Sequence, residues 1–281
     1  MITLKSYAKI NLTLDLVGKR EDGYHLLRSV MQKVSLCDYV FMRRQNSGIS
    51  ISCNKPYIPT DERNIVHKVA TAFFEKTGID GGVHITLKKH TPCGAGLGGG
   101  ISNGAAVLDG LCQLYKVQMT ADEKAKLCEN IGADIPFFFY NGTSVIEGIG
   151  EKVTSIANMP QCRIVIVKPP RSISTPTIFK HPETANNFGT QYTDKVVFAI
   201  ENGDLKGICD NMYNALQSAS CDVCPEISDI INELTEMGAM SAMMSGSGSA
   251  VFGIFENHKT AKAAREHFLK KYKDTYITKP V

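Results

Sequence analysis

The sequence predicts an α+β fold in two domains, and three features of the 281-residue chain carry that expectation. The N-terminus alternates apolar and polar residues with period two. The first half then runs strand, glycine-rich loop, helix, helix, and the second half opens on an apolar strand and mixes helices with strands. The length suits one large domain or two of about 100–150 residues each, and either can bury a core. The division falls near residue 157, giving an N-terminal domain over 1–157 and a C-terminal domain over 158–281.

From Ile2 to Val17 the even positions are Ile2, Leu4, Ser6, Ala8, Ile10, Leu12, Leu14 and Leu16, which predicts one long strand with a buried face. Side chains alternate across a strand, so Tyr7, Lys9, Asn11, Thr13 and Asp15 share the other face and Lys9 neighbours Asn11. Further strands are expected over 27–44 and 48–53, a helix from Asn64 to Lys76, and a strand over Val83–Leu87. The glycine loop follows and enters a helix marked by Ala105, Leu108, Leu111, Cys112 and Tyr115. Thr120 with Glu123 reads as a capping box opening a second helix, which should stop near Gly132. Phe137–Tyr140, the turn signal Asn141-Gly142 and Thr143–Ile146 predict a hairpin. Arg163–Val167 is a buried-type strand ended by Lys168-Pro169-Pro170. Helices are then expected at about 193–202, 204–218, 225–237 and 257–272, with strands flanking Ser245-Gly246-Ser247-Gly248 and a terminal strand.

Composition narrows the partners. The net charge of +3 provides no broad basic surface for nucleic-acid phosphates. The longest uncharged stretch, Met237–Phe255, is interrupted by Ser245-Gly246-Ser247-Gly248-Ser249 and does not suit lipid. The N-terminus shows neither a basic region nor an apolar run of secretory type, so a cytoplasmic protein is expected. Nine cysteines, an odd number, fit reduced thiols, and the lone pair Cys221 and Cys224 lacks the second pair a zinc site would need.

The strongest chemical signal is Gly94-Ala95-Gly96-Leu97-Gly98-Gly99-Gly100, in which five of seven residues are glycine. Placed between a strand and a helix, such a loop lets backbone N–H groups approach an anion, and the helix dipole adds to the attraction. No lysine follows the last glycine, which excludes a Walker-type loop. Gly94, Gly96 and Gly99 do satisfy the dinucleotide pattern GxGxxG. A dinucleotide oxidoreductase is nevertheless disfavoured, because a second helix, and not a strand, comes next.

These residues resemble the galactose, homoserine, mevalonate and phosphomevalonate (GHMP) kinases. The resemblance is carried by Pro92 to Asn103, Ala8-Lys9-Ile10-Asn11-Leu12, Asp22-Gly23-Tyr24-His25, Asn64-Ile65, Gly132 to Pro136, Glu147 to Glu151, Thr175 to Lys180 and Ser245 to Ser249. It implies the two-domain fold of that family, an N-terminal ATP-binding domain and a C-terminal ferredoxin-like α/β sandwich. It also implies an ATP-dependent kinase of a small-molecule alcohol, specifically the 2-hydroxyl of 4-diphosphocytidyl-2-C-methyl-D-erythritol, with Mg²⁺ accompanying ATP and no dedicated metal ligand assigned. Lys9 and Asp134 become the expected catalytic pair, the carboxylate accepting the hydroxyl proton and the ammonium offsetting charge on the transferring group. Pro92, Cys93, Gly94, Ala95, Gly96, Leu97, Gly98, Gly99, Gly100, Ile101 and Ser102 would hold ATP, with Asn64 near adenine; Asn64 reads equally as a helix N-cap. Asn11, Tyr24, His25, Thr175, Phe179 and Lys180 would hold the substrate, the aromatic rings sandwiching cytosine and His25 bonding its edge. Ile101 stands where the family usually has the first of two serines, and Gly104 where it usually has alanine. Two other outcomes stay open: a kinase of the same family acting on a mevalonate-type or sugar alcohol, and a nucleotide-binding regulator without catalysis.

Overall fold

The computed structural model describes residues 1–281 except 182, 183, 185–187 and 190. In chain order the elements are β1 (Ile2–Asn11), β2 (Thr13–Lys19), β3 (His25–Gln45), β4 (Gly48–Cys53), α1 (Ile65–Thr77), β5 (Gly82–Lys88), α2 (Gly99–Tyr115) and α3 (Ala121–Cys128). A 3₁₀ turn (Pro136–Phe139), β6 (Thr143–Gly148), β7 (Lys152–Ser155), β8 (Arg163–Lys168) and α4 (Thr175–Phe179) follow. The chain then forms α5 (Thr193–Glu201), α6 (Leu205–Asp210), β9 (Tyr213–Asn214), α7 (Gln217–Val223), α8 (Glu226–Glu236), β10 (Ser241–Met244), β11 (Val251–Phe255), α9 (His258–Phe268) and β12 (Asp274–Thr278). The α+β class holds.

The residues cluster into two compact units, and neither is one continuous segment. The first comprises Met1–Ala8, Cys37–Thr91 and Gly98–Asn141; the second comprises Lys9–Leu36, Pro92–Leu97 and Gly142–Val281.

In the first unit, β5 pairs antiparallel with the later part of β3, from Tyr39 opposite Lys88 to Gln45 opposite Gly82, and parallel with β4. Helix α1 buries Val66, Val69, Ala70 and Phe73, a stripe at helical spacing, and ends at Gly78 with φ 65°. It packs on α2 where Gly104 leaves room, since a Cβ there would stand 2.8 Å from Ile65 Cγ2. Ile65 thus fills the space an alanine would need. The capping box of α3 forms as expected: Glu123 N–H donates to Thr120 Oγ1, and Thr120 N–H donates to Glu123 Oε2.

In the second unit, the first part of β3 pairs with β2 and with β6, and β6 turns back into β7. A separate four-stranded antiparallel sheet has the order β10-β11-β8-β12. Val165 and Val167 of β8 and Val251 and Phe255 of β11 are buried together with Ile227, Ile230 and Leu234 of α8 and Phe268 of α9. Helices on a sheet in this way form an α/β sandwich.

Three expectations need correcting. The N-terminal strand is interrupted at Leu12, whose N–H bonds Val30 C=O, and beyond it β2 also pairs in parallel with β9. Phe137–Tyr140 is no hairpin arm, because Pro136 begins a 3₁₀ turn that buries both Phe137 and Phe138, which alternation along one strand face would not do. The hairpin lies one strand later, in β6 and β7. The segment 204–218 is not one helix either: Asn214 breaks it, because its side chain donates to the carbonyls of Met244 at 2.9 Å and Gly246 at 2.8 Å.

Candidate active site

Strand β1 buries both of its faces near its end: Lys9 is 4% exposed and Asn11 1% exposed, although both are polar. Burial of an ammonium demands partners, and the period-two spacing supplies one. Lys9 Nζ donates to Asn11 Oδ1 at 2.5 Å. The orientation of that amide is set from behind. Ser29 Oγ donates to Thr13 C=O, so it accepts from Asn11 Nδ2 at 2.9 Å, and the amide oxygen is left facing Lys9. Farther along the same face, Asp15 Oδ2 accepts the N–H groups of Tyr192 and Thr193, which ties β2 to the start of α5.

Residues 92–97 of the glycine loop are held by the same unit. Lys9 N–H donates to Leu97 C=O at 3.0 Å, Ala250 N–H to Ala95 C=O at 3.2 Å, and Ser245 Oγ to Gly96 C=O at 3.0 Å. Gly94 and Gly96 have φ of 59° and 72°. Gly96 has a second reason to lack a side chain, because a Cβ would lie 1.9 Å from Ser245 C=O. The loop containing Gly246 closes on the lysine: a Cβ on Gly246 would stand 3.2 Å from Lys9 Nζ and 3.4 Å from Asn11 Oδ1. Two glycine loops and the Lys9–Asn11 pair therefore form one packed cluster, and Asn214 holds the carbonyls of the second loop from below.

The other substrate candidates of this unit lie as follows. Thr175 Oγ1 and Ser247 Oγ are 2.7 Å apart, so α4 is joined to the second loop by a hydroxyl pair. The His25 ring is 5.3 Å from Phe179 and stacks at 14° on Phe188, 5.7 Å away. Tyr24 and Lys180 are exposed. Burial first, and then the charge of Lys19, push the His25 pKa below its ordinary value, which keeps the imidazole neutral and able both to donate and to accept.

In the first unit, α2 starts at Gly98, whose φ is 67°, and Ser102 N–H closes the first turn on Gly98 C=O at 2.8 Å. The first amide N–H groups of a helix have no intrahelical acceptor and meet the positive end of the dipole, so this turn presents donors of the kind that attract an anion. Gly100 opens on free space, whereas Gly99 is packed on Thr91. Ser102 is 3% exposed, and its hydroxyl accepts from Ser6 Oγ at 2.7 Å. Asn64 caps α1, accepting from Val66 N–H and donating to Pro59 C=O. Asp134 lies half-buried in the turn that precedes the 3₁₀ segment. That turn is packed from below by Ile101, whose Cδ1 lies 3.1 Å from where a Gly132 Cβ would be. Ile101 therefore serves as a packing residue at this position.

Ser6, Ser29, Asn214 and Phe188 contribute to these arrangements and escaped the sequence reading. Each is a common residue outside the glycine-rich segments, and only tertiary contact distinguishes it.

A glycine loop leading into a helix N-terminus suits the phosphates of a nucleotide. Residues 64–142 match the family model "GHMP kinases N terminal domain", and residues 198–274 match "GHMP kinases C terminal". The chain is 40% identical to the 4-diphosphocytidyl-2-C-methyl-D-erythritol kinase of Clostridium novyi over 99% of both chains. It is 41% identical to that of Clostridium kluyveri, again over 99% of each. A crystal structure of 4-(cytidine 5'-diphospho)-2C-methyl-D-erythritol kinase superposes with a TM-score of 0.84 at 30% identity, covering 99% of both chains. Homoserine kinase from Cytophaga hutchinsonii shares the fold, with a TM-score of 0.77 at 18% identity over 99% of this chain and 94% of that one. The chain belongs to the GHMP kinase family and is an ATP-dependent small-molecule kinase.

Two predictions follow from the cluster in the second unit. Gly246→Ala crowds the Gly96 carbonyl and the Lys9 ammonium, each 3.2 Å from the added Cβ, at a φ of 57°, and should lower kcat about tenfold in a steady-state assay; unchanged kcat contradicts the packing role. NMR titration of His25 should give a midpoint below that of a histidine in a flexible peptide measured alongside, and an equal or higher midpoint contradicts its neutral state.

Proposed function

We propose that this kinase transfers the γ-phosphoryl group of ATP to the 2-hydroxyl of 4-diphosphocytidyl-2-C-methyl-D-erythritol, as a cytoplasmic step of the non-mevalonate route to isoprenoid precursors. The observation that carries this reading is full-length similarity, at 40% identity, to kinases named for that substrate. The His25–Phe179 ring pair supports it, because a cytosine needs an aromatic face and a neutral edge partner, and a mevalonate-type alcohol needs neither.

In this reading Asp134 accepts the hydroxyl proton. The freed oxygen forms a bond to the γ-phosphorus as the bond to the bridging oxygen of ADP breaks, in one in-line step. Lys9 offsets the charge on the phosphoryl oxygens, while Asn11 holds the ammonium and takes a hydroxyl of the methylerythritol. Tyr24, His25 and Phe179 take the cytosine, and Thr175 and Lys180 the adjoining groups. Residues 92–102 take the triphosphate, the backbone N–H groups between Gly94 and Ile101 donating to it and Ser102 adding its hydroxyl, and Asn64 lies near adenine. Among the described residues no three of His, Cys, Asp or Glu converge as a cage for a metal. Mg²⁺, whose habit is to bind through phosphate oxygens and retain water, would accompany ATP and neutralise phosphate charge.

Purified protein incubated with the named substrate and Mg-ATP should yield ADP and the singly phosphorylated product by mass spectrometry. Absence of turnover by folded protein rejects the substrate. Asp134→Asn and Lys9→Ala should each lower kcat by about 10²–10⁴, the range for a positioned acid–base or electrostatic group. Wild-type kcat in either variant rejects that residue's role.

A further inference from the structure

Behind the first turn of α2 lies a set of buried polar side chains that no role above uses. Lys89 is 4% exposed, Asn103 2%, Ser6 2% and Asp38 0%. Asp38 Oδ1 accepts the N–H groups of His90 and Thr91, both at 2.7 Å. Its Oδ2 accepts from Lys89 Nζ and, at 3.0 Å, from Asn103 Nδ2. Lys89 Nζ also donates to Asn103 Oδ1 at 2.7 Å.

The directions of the bonds among Lys89, Asp38 and Asn103 are determined by chemistry. An ammonium only donates and a carboxylate only accepts, so the Asn103 amide has one permitted orientation, with its oxygen on Lys89 and its NH₂ on Asp38. The second NH₂ hydrogen goes to Ser6 Oγ at 2.8 Å. Ser6 accepts there and, in the observed geometry, donates its own proton onward to Ser102 Oγ at 2.7 Å. Ser102 in turn accepts, and among the described residues its own proton has no protein acceptor. Thr91 Oγ1, buried where a Cβ on Gly99 would stand 2.8 Å from the threonine methyl, also has no partner among the described residues. Two hydroxyls without protein acceptors thus lie at the start of a helix whose amides attract anions, in a setting where buried polar groups are ordinarily satisfied.

We infer that Lys89, Asn103 and Ser6 form a polarised relay that makes Ser102 an obligate hydrogen-bond donor to a phosphate oxygen of the bound nucleotide. The inference rests on the proposed phosphate site at this helix. Lys89, Asn103 and Ser6 are positioning residues, because they act through the Ser102 hydroxyl. Lys89 has a second effect: its ammonium stands 3.4 Å from the Cβ position of Gly99, directly behind the first residue of the helix.

The test is a double-mutant cycle read by calorimetric binding of a non-hydrolysable ATP analogue with Mg²⁺, which needs no alcohol substrate. A wrong alcohol would abolish turnover and leave this measurement intact. Ser6→Ala and Ser102→Ala should each weaken binding by about tenfold, the scale of one hydrogen bond to a charged acceptor. The double variant should bind no more weakly than Ser102→Ala alone, and Ser6→Thr, which keeps the hydroxyl, should bind like wild type. A Ser6→Ala loss that persists in full in the Ser102→Ala background overturns the relay, because a merely structural role would add. Unchanged binding in Ser102→Ala also overturns it, whether or not Ser6→Ala folds.

Discussion

The close approach of Gly96 to the Ser245 carbonyl is the constraint on which the Lys9 cluster depends. A side chain at 96 is impossible with Ser245 C=O 1.9 Å from the would-be Cβ, and the Ser245 hydroxyl bonds the Gly96 carbonyl in return. That contact brings the second glycine loop onto the first, and Gly246 then packs on Lys9 and Asn11. The ammonium is buried yet partnered, which avoids the heavy cost of isolating a charge from water and keeps its position narrow. Preorganisation of this kind suits phosphoryl transfer, where positioning and electrostatics supply most of the acceleration.

The two units use one device for two different side chains. In each, a donor-only or acceptor-only group determines the orientation of an amide, and the amide orients the functional group. Ser29, donating to a backbone carbonyl, leaves the Asn11 oxygen toward Lys9. Lys89 and Asp38 orient Asn103, whose NH₂ passes a fixed polarity through Ser6 to Ser102. In both networks the orientation of the functional group is set by side chains packed behind it.

Much of this was legible in the amino-acid sequence for identifiable reasons. Period two placed Lys9 beside Asn11 before any coordinates, because alternation across a strand is strict. Capping chemistry located the starts of α1 and α3, and the glycine run between a strand and a helix located the start of α2. The illegible parts depend on tertiary context. Asn214 looks like one more polar residue in a helical stretch until the Met244 and Gly246 carbonyls are brought to it. Ile101 and Gly104, the two departures from the family pattern, become intelligible only when Gly132 and Ile65 are seen packed against them. Three consecutive phenylalanines read as a strand until burial of adjacent rings requires a tight turn.

The central claim is that backbone N–H groups of the glycine loop, with the Ser102 turn, grip the triphosphate. Amide chemical shifts recorded while a non-hydrolysable ATP analogue is added test it most directly. The largest downfield changes should fall on Gly94, Gly96, Gly98, Gly99, Gly100 and Ile101, as their hydrogens move onto phosphate oxygens. Saturable nucleotide binding that leaves these resonances in place would contradict it.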